Sequence, residues 1–202
     1  MPKDKKFKKV LYVTTQVAGS WRYFSWCAYP AIWYARLQNK ILSFLNTCDD
    51  VKIFVKFYPN EGSLNPNISW VENHNSNFVI LNNSLINILT KYDFDLIITE
   101  AFATTFLEII CTKSQILIFI PKDFTRIDEN SKEMLKKRVF FAENEDEYLD
   151  LLCQLMNFSD TIQFKDLNDN FLLKFGIHSP DADPILLSRQ AIQSIISESS
   201  IS

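Results

Sequence analysis

The stretch FDLIITEAFATTFLEIICTKSQILIFIP, Phe94–Pro121, decides the fold. A continuous apolar run, Leu96–Thr99, passes into a short turn, a helix opens at Thr104–Thr105, and a second apolar run, Ile116–Ile120, follows. Apolar runs without alternation are the pattern of strands buried on both faces, as in parallel sheets. Such a strand–turn–helix–strand unit puts its turn at the carboxyl edge of the sheet. Free backbone N–H groups of a helix start gather there, beside the hydroxyls of Thr104 and Thr105, where α/β folds hold phosphates. The stretch therefore predicts a nucleotide-binding domain.

Outward from this unit, further apolar runs lie at Val10–Val13, Val51–Phe57, Phe78–Leu81 and Val139–Phe141. Helical patterns separate them. Pro30–Cys48 opens on a proline suited to a first turn and carries Trp33, Leu37, Ile41, Phe44, Leu45 and Cys48 on one stripe. Ser84–Tyr92 starts with a serine cap, Thr105–Thr112 follows the fourth strand, and Asn130–Lys137 ends in basic residues that suit the helix dipole. Asn144–Met156 and Pro184–Ser197 are amphipathic. Pro59–Asn77 is long for a bare loop, so a short helix near Leu64–Glu72 or a functional lid is expected. The alternation predicts an α/β fold with an open, mostly parallel sheet of about six strands and helices on both faces. The expected layout is one domain over residues 1–202: a basic leader at 1–8, a core at 9–156, and a C-terminal extension at 157–202 ending in a helix.

Composition narrows the chemistry. A hydrophobic content of 47% fits a globular chain, and a net charge of −3 offers no global basic field for nucleic acid. Lysines 3, 5, 6, 8 and 9 cluster, which reads as a solvated leader. Three glycines, Gly19, Gly62 and Gly176, leave no GxGxxG or Walker motif, so a phosphate would have to be held by a helix start. Cys27, Cys48, Cys111 and Cys153 are far apart and His74 and His178 do not cluster with them, so no metal site is expected. His178 receives no role. No apolar run can cross a bilayer and no signal peptide is read, so a reduced cytoplasmic setting is expected. Membrane association would need a partner or a peripheral position at the inner face.

Three groups of residues would border the same edge. Lys56, Tyr58 and Pro59 leave the second strand; Lys56 either snorkels outward or meets an anion. Gly19, Trp21, Arg22 and Tyr23 follow the first strand, where Arg22 offers a planar fork for phosphate and the rings a stacking face, or the segment is a surface loop. Glu100 ends the fourth strand and would accept from a ribose hydroxyl, while Lys122 and Arg126 follow the fifth and would meet phosphate. Thr105-Phe106-Leu107-Glu108 also reads as a capping box, with Thr105 as N-cap and Glu108 reaching back, which is compatible with an anion at the same helix start.

These segments, VLYVTTQVAG with YPAIWYARLQNKILSFL, VKIFVKFYPN, FDLIITEAFATTFLEIICTKSQILIFIP and RVFFAENEDEYLDLL, resemble the C-terminal half of a GT-B-type glycosyltransferase. The likeness is closer to bacterial surface-polysaccharide transferases and their CDP-glycerol glycerophosphotransferase relatives. It implies a Rossmann-like domain binding a nucleoside diphosphate sugar or polyol. Thr104, Thr105 and Glu108 would lie at the phosphates, with Lys56, Tyr58, Arg22, Gly19 and Glu100 nearby. It also implies metal-independent transfer, with helix dipole and basic side chains stabilising the leaving diphosphate. Tyr58 stands where such relatives often carry histidine, so a role resting on that imidazole does not transfer. The acceptor-binding domain of a two-domain transferase is not read in this sequence, which points to a separate acceptor-binding domain or subunit, or to a non-catalytic interaction module on the same fold.

Overall fold

A computed structural model describes residues 7–17, 29–59, 65–74, 77–100, 102–157, 162–165 and 171. The Gly19–Trp26 segment with Arg22, Cys27, Gly62, Gly176, His178 and the expected helix at Pro184–Ser197 lie outside the described residues. The chain divides into two compact units, Met1–Leu167 and Asn168–Ser202, and the sheet with its helices belongs to the first.

Six strands form one sheet: β1 (Lys9–Val13), β2 (Lys52–Lys56), β3 (Phe78–Ile80), β4 (Leu96–Thr99), β5 (Gln115–Phe119) and β6 (Phe140–Ala142). Every pairing is parallel and the spatial order is β3-β2-β1-β4-β5-β6. This is the strand order of a doubly wound Rossmann-like sandwich, with a topological switch point between β1 and β4. The central strands are the uninterrupted apolar runs of the sequence, and Val10, Leu11, Tyr12, Leu96, Ile97 and Ile98 are wholly buried.

The helices are α1 (Ala31–Leu45), α2 (Pro66–Asn73), α3 (Leu85–Lys91), α4 (Thr104–Ile110), α5 (Glu129–Arg138) and α6 (Glu145–Met156). The helix expected near Leu64–Glu72 is α2, which starts with Pro66 at its first turn and the Asn65 side chain accepting from Asn67 N. Leu37, Ile41 and Leu45 of α1 and Leu152 and Leu155 of α6 pack on Tyr12, Val55, Ile98, Leu117 and Phe119. Each such burial contributes about 1.5–3 kcal/mol. Successive strand residues alternate sides, so Leu11, Phe54, Ile97 and Ile116 face the opposite layer. Right-handed crossovers bring α3, α4 and α5 there.

Two polar ties hold the amino edge of the sheet. At the amino edge, Asp95 Oδ2 accepts from Lys8 N (2.8 Å) and Lys9 N (3.0 Å), which fixes β1 against β4. Under α4, the buried Arg138 guanidinium donates to Ile110 O (3.3 Å), Ser114 O (3.1 Å) and Thr112 O. A cation is favourable at that helix end, because its last carbonyls lack helical partners. Ser84 caps α3 through its side chain, as the sequence predicts, and Asn144 caps α6 in the same way.

The start of α4 corrects one expectation. Its N-cap is Ala103, in extended conformation (φ −140°, ψ −165°), without a side-chain cap. Thr104 and Thr105 are already helical, and Glu108 lies beyond the reach of a capping box. The helix phase is set by its apolar face, because Phe106, Ile109 and Ile110 must all be buried on the sheet. With Ala103 as the cap, Thr104 and Thr105 fall within the first turn, and no capping box is formed.

Candidate functional site

The strand register determines what meets at the carboxyl edge. Val13 is level with Lys56 on one side and Thr99 on the other, and Thr99 is level with Ile118. Thr14, Phe57 and Glu100 therefore emerge side by side at the switch point.

Glu100 turns inward. It is 3% exposed, and its two carboxylate oxygens accept from the protein itself. Tyr12 Oη donates to Oε1, while Gln38 Nε2 (3.1 Å) and Thr15 N (3.3 Å) donate to Oε2. Gln38 Nε2 also donates to Thr15 O (3.0 Å), and Gln38 Oε1 accepts from Asn65 Nδ2 (3.3 Å) and Asn67 Nδ2 (3.4 Å). Asn67 Nδ2 reaches Ala35 O at 3.0 Å. One carboxylate thus ties together the β1 exit, the β4 exit, α1 and the start of α2. Hydrogen bonds to a buried charge contribute about 1.5–3 kcal/mol each. Burial first, and the Glu100 charge second, push the Tyr12 and Tyr148 phenols well above the ordinary phenol value. Both stay protonated and act as donors; Tyr148 Oη reaches Thr99 O at 3.0 Å. Glu100 is therefore a structural anchor beneath the edge, and not on the solvent rim where the sequence places it.

Tyr12, Gln38, Asn65 and Asn67 escape the sequence reading. A signal exists for Gln38: it falls four residues after Tyr34 and three before Ile41, on the stripe that α1 buries. A polar residue there must find partners inside the protein.

The other edge residues fall into three places. Lys56 is half-buried, its ammonium donates to Phe57 O (3.1 Å), and burial alone pulls its pKa below the ordinary lysine value. Among the described residues no carboxylate forms an ion pair with it. Next to it, Tyr58 N donates to Thr14 Oγ1 (3.2 Å), and the Tyr58 ring is partly open to solvent. At the start of α4, Thr104 is exposed and Thr105 and Glu108 are half-buried.

The third place is a cavity of about 300 Å³ over the ends of β5 and β6. Lys122, Arg126 and Lys132 line it with Glu129 and Glu143, over a floor that includes Phe141. Lys132 pairs with Glu143 at 2.6 Å, and that contact raises its pKa. Lys122 and Arg126 are exposed and have no ion pair among the described residues. The sequence singles out both of these cations for this edge; Lys132 and Glu143, which come from later elements, it misses. Exposed aromatics Tyr58, Phe102 and Phe124 stand along the same edge, and Phe124 meets Tyr29 edge-to-face at 5.1 Å.

These features define a Rossmann-like α/β domain with Lys56, Lys122 and Arg126 at its carboxyl edge. No family model and no curated protein matches the chain. Among the described residues no helix is long and apolar enough to cross a membrane.

Proposed function

We propose that this chain is the donor-binding domain of a glycosyltransferase-like protein, taking a nucleoside diphosphate sugar or polyol for surface polysaccharide synthesis. One observation carries the reading: an all-parallel sheet in the order β3-β2-β1-β4-β5-β6 gathers Lys56, Lys122 and Arg126 at its carboxyl edge. Clefts outside the carboxyl ends of such sheets are where this fold class binds ligands. The fold alone hosts many functions, so the cations, and the resemblance of the strand–turn–helix segments, narrow it. In this reading the diphosphate is stabilised by basic side chains without a metal, at the cytoplasmic side of the membrane, and a separate domain or subunit supplies the acceptor.

The test is a thermal shift series with UDP, CDP, GDP and their sugar or polyol conjugates. A ligand at a hundredfold its Kd stabilises the fold by about 2.7 kcal/mol, which displaces the unfolding transition by a readable margin. A transition unmoved by every member of the series would overturn the reading.

A split-enzyme subunit would still bind the donor as in this first reading, whereas the Glu100 network supports a second, a non-catalytic interaction module on the same fold. The Tyr12, Gln38 and Glu100 side chains fill the switch point with protein. This version expects no nucleotide shift and a partner that co-purifies with the intact chain.

A further inference from the structure

The phosphates of the proposed ligand are expected near α4 from the sequence. That helix spans seven residues, Thr104–Ile110, carries no side-chain cap, and presents an exposed Thr104. The cavity over β5 and β6 is better equipped. It is about 300 Å³, at the lower end of the size range of small-molecule sites. Its floor is apolar, with Ile120 and Phe141 buried, and Phe141 offers its ring beneath Lys132, 5.7 Å from the ring centroid. Its walls are charged, and the charges are unequal in freedom. Lys132 is committed to Glu143 at 2.6 Å. That leaves Lys122 and Arg126 as cations without an ion pair among the described residues, against the single carboxylate of Glu129. Glu129 itself sits in the first turn of α5, where the helix dipole favours its charge. Asp128 caps the same helix start, its side chain accepting from Ser131 N at 3.0 Å, so the positive end of the dipole is met by the protein's own carboxylates.

We propose that this cavity binds the phosphate groups of a phosphorylated ligand, with Lys122 and Arg126 as the binding cations. Arg126 supplies a planar fork that grips two phosphate oxygens together, and Lys122 adds a mobile point charge. Lys132 and Glu143 act as one neutral unit, which fixes the wall and leaves the anion to the other two. The assignment rests on the donor-binding reading for the nucleotide part of the ligand, and on the cavity alone for the phosphates.

The experiment is calorimetric titration of the whole chain with CDP, UDP and GDP, and separately with inorganic pyrophosphate, at low ionic strength. The variants are Lys122→Ala with Arg126→Ala, Thr104→Val with Thr105→Val, and Glu129→Gln. Lys122 and Arg126 are exposed, so the fold should survive their loss, and circular dichroism checks it. The proposal expects roughly tenfold or greater weakening in the double alanine variant, because charged hydrogen bonds to phosphate are lost. It expects affinity within about twofold of wild type for the threonine pair, and roughly twofold to fivefold tightening in Glu129→Gln, where one repulsive charge is removed. Pyrophosphate binding that depends on Arg126, with no binding of any nucleotide, supports the cavity and removes the donor reading. Nucleotide binding that the double alanine variant leaves unchanged overturns the cavity and spares the donor reading. Failure of both nucleotides and pyrophosphate to bind wild type overturns both.

Discussion

Replacing Glu100 with alanine tests whether one buried carboxylate holds the carboxyl edge together. Wild-type Glu100 accepts from Tyr12 Oη, Thr15 N and Gln38 Nε2. In Glu100→Ala, Gln38 keeps Thr15 O as an acceptor, but Tyr12 Oη and Thr15 N lose the carboxylate. Leaving the fully buried Tyr12 Oη without its acceptor costs about 1–3 kcal/mol, and the part-buried Thr15 N adds a smaller loss. Against a total stability of about 5–15 kcal/mol, that is a large share. Glu100→Gln should be milder. Its amide oxygen can face the two N–H donors, which leaves only the Tyr12 O–H short of an acceptor, while the cost of burying a charge disappears. A loss under about 2 kcal/mol is expected for it. Urea unfolding followed by far-ultraviolet circular dichroism measures both, provided the slope with denaturant stays constant. If the alanine variant falls within about 1 kcal/mol of wild type, or glutamine costs as much as alanine, the anchor argument is wrong.

The same geometry sets three other expectations. Tyr12 and Tyr148 have folded-state pKa values above the ordinary 10.0, through burial first and the Glu100 charge second. Their contribution to stability is therefore intact below about pH 10 and lost as pH rises beyond it. Tyrosinate absorbance should show these two rings ionising only as the circular dichroism signal collapses, and their reversible ionisation in the folded chain would count against the assignment. Arg138→Met leaves Ile110 O, Thr112 O and Ser114 O without their guanidinium and should cost about 3 kcal/mol or more in the same urea assay. Restoration by lysine should be partial, because lysine lacks the fork; full restoration would refute the shared role. Lys56 has its pKa lowered by burial, so the unfolded chain holds this proton more tightly and the penalty from this one group shrinks as pH rises toward about 10.5. Lys56→Met should have the higher Tm near neutrality, with the gap closing near pH 10.5; a gap independent of pH would contradict it.

The fold was legible because its signal is local. Strands β4 and β5 are unbroken apolar runs, and the cap Ser84 stands next to the helix it starts. The helix after β4 was readable in place but not in detail. A window over Thr105–Glu108 sees capping chemistry, whereas the helix begins earlier, with Ala103 as its cap and Thr105 already inside the first turn. At the site, Lys122 and Arg126 could be read because a strand end predicts where they emerge. Glu100 could not. A carboxylate at a strand end looks solvated, and the partners that draw it inward, Gln38 and Tyr12, lie 62 and 88 residues away in sequence. Arg138 is a similar case, because a basic helix end normally points to water and this one is buried against a neighbouring turn.

The two outermost strands, β3 (Phe78–Ile80) and β6 (Phe140–Ala142), are each three residues long, while the four between them run to four or five. A sheet margin is a template on which a foreign strand can grow, and its hazard scales with the length of free backbone it offers. Here both margins taper to less than a single complementary segment. Brevity limits what either margin can recruit, and at β6 the Lys132 and Lys165 ammonium groups over the Phe141 and Phe140 rings add charge to the same margin.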